Sequence, residues 1–333
     1  MGNLKLAAAV ATIALSSMAF GASASYRYAR VYRAGSQFDY TLATRVEHNG
    51  KPASTSVAFA HDLVVSKAGV PFDEVTFTQL KECAETGTST CKVLDAYARQ
   101  VPPFFLSLAA DGSIAVPHVA APQMTGSVTD LVTYWVAMSA KMGIANLHKP
   151  GDHLLVPTPI SGNWANGASI PLGRDYLAVT EQLLDMTPDT VTFRSSFQPP
   201  PNPGLSMAHA WMRAPVAGAT PNNFEQVIDQ GNAGATVMWG HEAFTILTTV
   251  DRNSGVILRA QMENNLELRM RIGCTADATH CGPAMPFTIA RHQTLRMLPA
   301  PTAMRKNVNL LRQSRLLEML DSASIVSRIP RVQ

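Results

Sequence analysis

The stretch GVILRAQMENNLELRMRIGC, residues 255–274, decides the fold class. From Val256 to Ile272 the even positions are apolar: Val256, Leu258, Ala260, Met262, Leu266, Leu268, Met270 and Ile272, with Asn264 the one exception. After Ile257 the odd positions are Arg259, Gln261, Glu263, Asn265, Glu267, Arg269 and Arg271. Side chains of a strand point alternately to opposite faces, so this period marks a strand with one buried face. Two readings remain open. Residues 256–272 form one long strand, or the chain turns near Asn264 and forms two.

Working outward, residues 235–265 predict a hairpin that turns through Asp251 to Gly255, with Gly255 in the left-handed position. Pairing Val250 with Val256 places Thr248 opposite Leu258, Ile246 opposite Ala260 and Phe244 opposite Met262. Glu242 then meets Asn264 on the apolar face. Residues 175–197 predict a second hairpin around Thr187-Pro188-Asp189. Pairing Asp185 with Val191 sets Leu183 opposite Phe193, Val179 opposite Phe197, and Glu181 opposite Ser195 between them. A third hairpin turns at Asn49-Gly50, a pair suited to positive φ at both central positions of a type I′ turn. Centring the turn there sets Phe38, Tyr40, Leu42 and Thr44 opposite His61, Phe59, Val57 and Thr55, and Pro52 suits an edge or a strand start.

Residues 127–147 supply the main helix candidate. Ser127 and Asp130 make a capping signature, and Val128, Leu131, Val132, Trp135, Ser139 and Met142 share one face. Only Asp130 and Lys141 bring charge to the other faces, so the helix is expected to be buried.

The chain opens MGNLKLAAAVATIALSSMAFGASASY, with Lys5, an apolar run from Leu6 to Leu15, and Ala22-Ser23-Ala24 as a small-residue cleavage site. This is the pattern of a secretory signal peptide cut after Ala24. We therefore expect a leader over 1–24, a single β domain over 25–302 with a buried helix near 128–147, and a basic C-terminal helix or tail over 303–333. The expected location is periplasmic or secreted. Net charge is only +3, too little to argue for nucleic acid, while 46% hydrophobic against 15% charged residues allows a large core. The cysteines fall in two local pairs, C-x7-C and C-x6-C. In an oxidising compartment, two short-loop disulfides, Cys83–Cys91 and Cys274–Cys281, are the simplest of three possible connectivities. A metal site would need tighter spacing and nearby histidines, and only His280 is close.

Many antiparallel strands and one apolar helix imply a mostly β fold: a long curved antiparallel sheet, or half-barrel, with the helix in its concavity. The strand pair FTILTTVDRNSGVILRAQM, the export leader without a lipidation cysteine, and a helix suited to plug a barrel resemble the periplasmic lipoprotein carriers of the LolA type. The resemblance implies a hydrophobic cavity for acyl chains. The two local disulfides and the Pro-rich connectors depart from that pattern.

The polar residues on apolar strand faces are the candidate ligand contacts: Glu242, Asn264, Glu181 and Ser195, with Phe244, Met262 and Trp135 beside them. Pockets combine mostly apolar walls with a few placed polar groups, which is the pattern these positions make. Other constellations are weaker. Ser206 in G-x-S-x-A, with His209, follows a proline run in a β-rich chain, without the strand-turn-helix context of a nucleophile elbow. His241-Glu242 lacks the second histidine of a zinc helix. His148, Asp152 and His153 read as a solvated turn. No metal and no cofactor is expected. The leading expectation is a protein that binds a hydrophobic small molecule or a lipidated partner between sheet and helix. Its basic C-terminal segment could rest on a membrane surface. The alternative is an envelope interaction module with a filled core, and a hydrolase stands third.

Overall fold

The structure, a computed structural model, describes residues 28, 30–84, 90–109, 114, 117, 119–139, 144–158, 177–197, 222, 224–229, 234–275 and 280–299. The expected leader, the C-terminal segment beyond 302, Ser206, His209 and Met142 lie outside them.

Among the described residues, twelve strands form one open antiparallel sheet that does not close into a barrel. The first meander comprises β1 (Gln37–His48), β2 (Lys51–Lys67), β3 (Val70–Ala84) and β4 (Thr90–Val93). Helix α1 (Asp95–Ala98), β5 (Phe104–Leu106) and helix α2 (Pro122–Ala137) follow. The second half contains β6 (His153–Thr158), β7 (Leu177–Met186), β8 (Thr190–Phe197), β9 (Phe224–Asp229), β10 (Ala235–Asp251), β11 (Ile257–Cys274) and β12 (Met285–Met297). The order across the sheet is β4-β3-β2-β1-β12-β11-β10-β8-β7-β6, with β5 on β3 and β9 on β10. Pairing of β1 with β12 therefore joins the two halves in the middle. The fold class expected from the alternation stands, and residues 257–274 are a single strand of 18 residues.

The hairpins form, but bulges move their registers. Asn49 and Gly50 take positive φ of 50° and 72°, as a type I′ turn requires. Near that turn β2 carries an extra residue, so Glu47 faces Pro52 while Val46 faces Ser54. Tyr40 and Leu42 consequently pair with Ala60 and Ala58, and Phe38 with Asp62. The expected partners Phe59 and Val57 sit one place away. In the β7–β8 hairpin, Leu183–Phe193, Glu181–Ser195 and Val179–Phe197 pair as expected, but a bulge beside Leu183 sets Asp185 opposite Thr192. In the β10–β11 hairpin Val250 pairs with Ile257 rather than Val256, and a bulge at Thr249/Val250 adds one more, so the register slides by two residues. Thr248 faces Ala260, Ile246 faces Met262, Phe244 faces Asn264, and Glu242 faces Leu266. A slip of two preserves the faces, because side-chain direction repeats every two residues.

Helix α2 starts five residues before Ser127 and ends ten before Leu147. Pro122 occupies its first turn, where the missing N–H costs nothing, and Ala121 stands at the N-cap without a side-chain hydrogen bond. Ser127 and Asp130 lie inside the helix. Its last turn closes through Met138, and Ile144–Asn146 form a separate 3-10 turn. The apolar face settles on the sheet: Val128, Leu131, Val132, Trp135 and Met138 are buried in one core with Leu42, Phe77, Phe193, Ile246, Ala260 and Leu295. Burying each such side chain contributes roughly 1.5–3 kcal/mol, ample to hold a helix without a side-chain cap. Both expected disulfides, Cys83–Cys91 and Cys274–Cys281, are present.

Candidate functional site

Residues paired side by side across the sheet build rows along its inner face, the face that meets α2. One row runs Leu42, Leu295, Ala260, Thr248, Phe193 and Leu183. The next runs Thr44, Gln293, Met262, Ile246, Ser195 and Glu181, and a third Val46, Arg291, Asn264 and Phe244. Polar side chains recur in the second and third rows, so a polar belt crosses an apolar face.

Two pairs on this belt are those the alternation singles out. Ser195 Oγ donates to Glu181 Oε2 at 2.7 Å, with both residues buried. Burial pushes the Glu181 carboxyl up to about 8, opposed by the Ser195 hydrogen bond. Asn264 Nδ2 donates to Glu242 Oε1 at 2.8 Å, although the two residues are diagonal neighbours rather than direct partners. Glu242 is raised by burial, against the Asn264 hydrogen bond and the charge of Arg291. Phe244 is half-buried and stacks obliquely on Phe197 with ring centres 5.0 Å apart, while Met262 is buried in the core. Trp135 belongs elsewhere: its indole Nε1 donates to Asp73 Oδ2 at 2.9 Å, away from the Glu242 pair.

The structure adds partners that the sequence reading missed. Asp130, on α2, accepts from Arg291 Nη2 through both carboxylate oxygens at 2.8 Å. Burial raises Asp130, and the charge of Arg291 opposes it. A second polar cluster lies below the helix. Asp73 accepts from Arg30 Nη2 at 3.1 Å, Tyr32 Oη at 3.1 Å and Trp135, and Asp62 lies beside it, also buried. The sequence signal for Asp73 was its place in the alternate set Asp73, Val75, Phe77.

Beyond the belt, a separate apolar cluster is built by strands alone: Phe224 of β9, Met238 of β10, Leu266 and Leu268 of β11, flanked by half-buried Phe287 and Ile289 of β12. No residue of α2 contributes to it among the described residues. On the opposite, outer face, a groove of about 440 Å³ is lined by Arg194, Ser196, Thr245, Leu247, Gln261 and Glu263. Its lining is mixed, and none of the candidate residues faces it. His148, Asp152 and His153 form a polar turn in which Asp152 Oδ2 accepts the backbone N–H groups of His148 and Lys149. Among the described residues no group of three or more His, Cys, Asp or Glu could hold a metal ion.

No family model and no curated protein matches the chain. Among solved structures, a chain from a study of lipid–protein interactions in lipovitellin is similar, with a TM-score of 0.41 and 11% identity. That match covers 83% of this chain and 27% of the other, so the chain spans about a quarter of the lipovitellin chain. A LolA superfamily protein from Nitrosomonas europaea is also a neighbour, with a TM-score of 0.14, 10% identity, and 86% of this chain and 97% of that one covered. OmpT, an outer membrane protein of Vibrio cholerae, matches with a TM-score of 0.15, 7% identity, and 80% and 100% covered. All three likenesses are weak.

Proposed function

We propose that this is an exported protein that binds a hydrophobic ligand, a lipid or the acyl chain of a lipidated partner, on the inner face of its half-barrel. The observation that carries this reading is the strand-built cluster of Phe224, Met238, Leu266 and Leu268 across the polar belt from the filled core. Around α2 the inner face is packed, so the ligand would lie along half-buried Met270, Phe287 and Ile289, which flank the buried cluster where the sheet continues past the helix. Methionine and aromatic side chains adapt to flexible apolar guests, and the belt supplies the few polar groups that orient one. The two disulfides fit an oxidising, extracytoplasmic compartment. An interaction module with a filled core is the second reading, favoured by the packing of Val128, Leu131 and Trp135.

The test is native mass spectrometry of the protein from its native host, with organic extraction of bound molecules. An apolar molecule at stoichiometric yield is expected. Ile289→Glu should lower its retention about tenfold or more, since a charge set against an acyl chain is costly, while Gln261→Glu on the outer face should not. An empty protein that also takes up no fluorescent fatty acid would overturn the reading and leave the interaction module ahead.

A further inference from the structure

At the edge of the strand-built cluster, five polar side chains from four elements lie together: Arg291, Asp130, Tyr134, Asn264 and Glu242. Arg291 of β12 holds both oxygens of Asp130 on α2, so the cation and this anion cancel. Asn264 gives its amide hydrogen to Glu242, but its own carbonyl oxygen, Oδ1, is buried without a protein partner. The hydroxyl of Tyr134, one turn along the helix from Asp130, is likewise buried without a protein partner. Phe244, Arg291 and Ile289 are only half-buried where the belt borders the strand-built cluster.

The chemistry of these groups selects a head. A buried amide oxygen lacking a donor costs about 1–3 kcal/mol, which a ligand hydroxyl would offset. An anionic head would join two carboxyl groups around one guanidinium that is already engaged. A cationic head finds no free carboxylate: Asp130 is taken by Arg291, and burial favours the neutral acid at Glu242. Resting on the apolar-ligand reading above, we propose that Asn264, Glu242 and Tyr134 form a headgroup subsite for an uncharged, hydroxyl-bearing lipid such as a monoacylglycerol. A glycerol hydroxyl donates to Asn264 Oδ1, and the acyl chain runs along Leu266, Phe287 and Ile289.

The experiment displaces a fluorescent acyl probe from the full chain with three competitors that share one tail: methyl oleate, monooleoylglycerol and oleate. Monooleoylglycerol is expected to displace the probe at about tenfold lower concentration than methyl oleate, the value of one well-placed hydrogen bond. Asn264→Leu should cut that preference to about twofold or less and leave methyl oleate unchanged. Glu242→Gln, which keeps a neutral polar group, should retain the preference, and Glu242→Leu should weaken it in a variant that does not depend on how Asn264→Leu folds. Equal displacement by methyl oleate and monooleoylglycerol, or strongest displacement by oleate, overturns the headgroup subsite while the apolar site stands. A probe that does not bind overturns both.

Discussion

Asp62 and Asp73 are diagonal neighbours across β2 and β3, both buried, with the Arg30 guanidinium paired to Asp73. Asp73 has three donors: Arg30, Tyr32 and Trp135. Burial, and then the charge of Asp73, push the Asp62 carboxyl up to about 8, with Arg30 opposing, and Tyr40 is the further titratable group beside it. In the unfolded chain an aspartate ionises near pH ~4. Between about pH 4 and pH 8 the folded protein therefore holds the extra proton, and stability falls as pH rises through that window. Asp62→Asn removes the cost. The variant should match the parent near pH 4 and exceed it by a few kcal/mol at pH 8, read from urea unfolding across the range; a constant difference at all pH values would contradict the assignment. This cluster was hidden in the sequence for a specific reason. The bulge near Pro52 moves the inner face of β2 onto Ala58, Ala60 and Asp62, whereas unbroken alternation puts Val57 and Phe59 there. By contrast, Glu181–Ser195 and Glu242–Asn264 were legible, because bulges outside the first pair and a slip of two at the second preserve the faces.

Helix α2 and strand β10 show what decides an element. The capping signature at Ser127 was a plausible start, yet the helix begins at Pro122, since the apolar face already commits residues before Ser127: Met124 is buried in the core. Local side-chain hydrogen bonds are worth less than that burial. Ser127→Ala is therefore expected to cost under ~0.5 kcal/mol, against about 1 kcal/mol for loss of a true N-cap, in chemical denaturation. Strand β10 changes partner along its length, pairing with β9 up to Gly240 and with β8 from Phe244. At Gly240 the backbone of β11 comes so close that an added Cβ would lie 2.2 Å from the carbonyl oxygen of Glu267 and 2.8 Å from the Cα of Leu268. These are backbone atoms within a paired strand, so they cannot yield cheaply. Gly240→Ala should destabilise the protein by about 1–3 kcal/mol or more, and the loss should appear as reduced protection of the β10–β11 amides in hydrogen exchange. The partner change could not be read from sequence, since neither the period nor the turn residues mark where β9 stops and β8 starts.

At the scale of the molecule, the two half-sheets are joined within the sheet at β1 and β12 among the described residues. Tyr28 and residues 30–36 link the two halves. Tyr28 packs edge-on against Phe193 of β8 at 5.4 Å, and the Val31 amide donates to Ser254 at the β10–β11 turn. On the other side Gly35 and Ser36 exchange backbone hydrogen bonds with Val64 of β2, and Tyr32 Oη both accepts from the Leu108 amide and donates to Asp73. Arg30 is the charged member, with its guanidinium 3.1 Å from Asp73 and its side chain 5% exposed. Because Trp135 also donates to Asp73, the same carboxylate fastens the segment, β3 and α2 together. Removing one partner of a buried ion pair leaves the other uncompensated, a loss of about 3–5 kcal/mol. Arg30→Met preserves most of the side-chain volume and should lose that much at pH 7. At pH 4 the loss should shrink, because a raised Asp73 can then take a proton and shed its charge. Urea unfolding of the two proteins at both pH values measures the difference. A loss under ~1 kcal/mol at pH 7 would mean that the tie is held by its backbone bonds and Tyr28 instead, with the ion pair contributing only what an exposed one does.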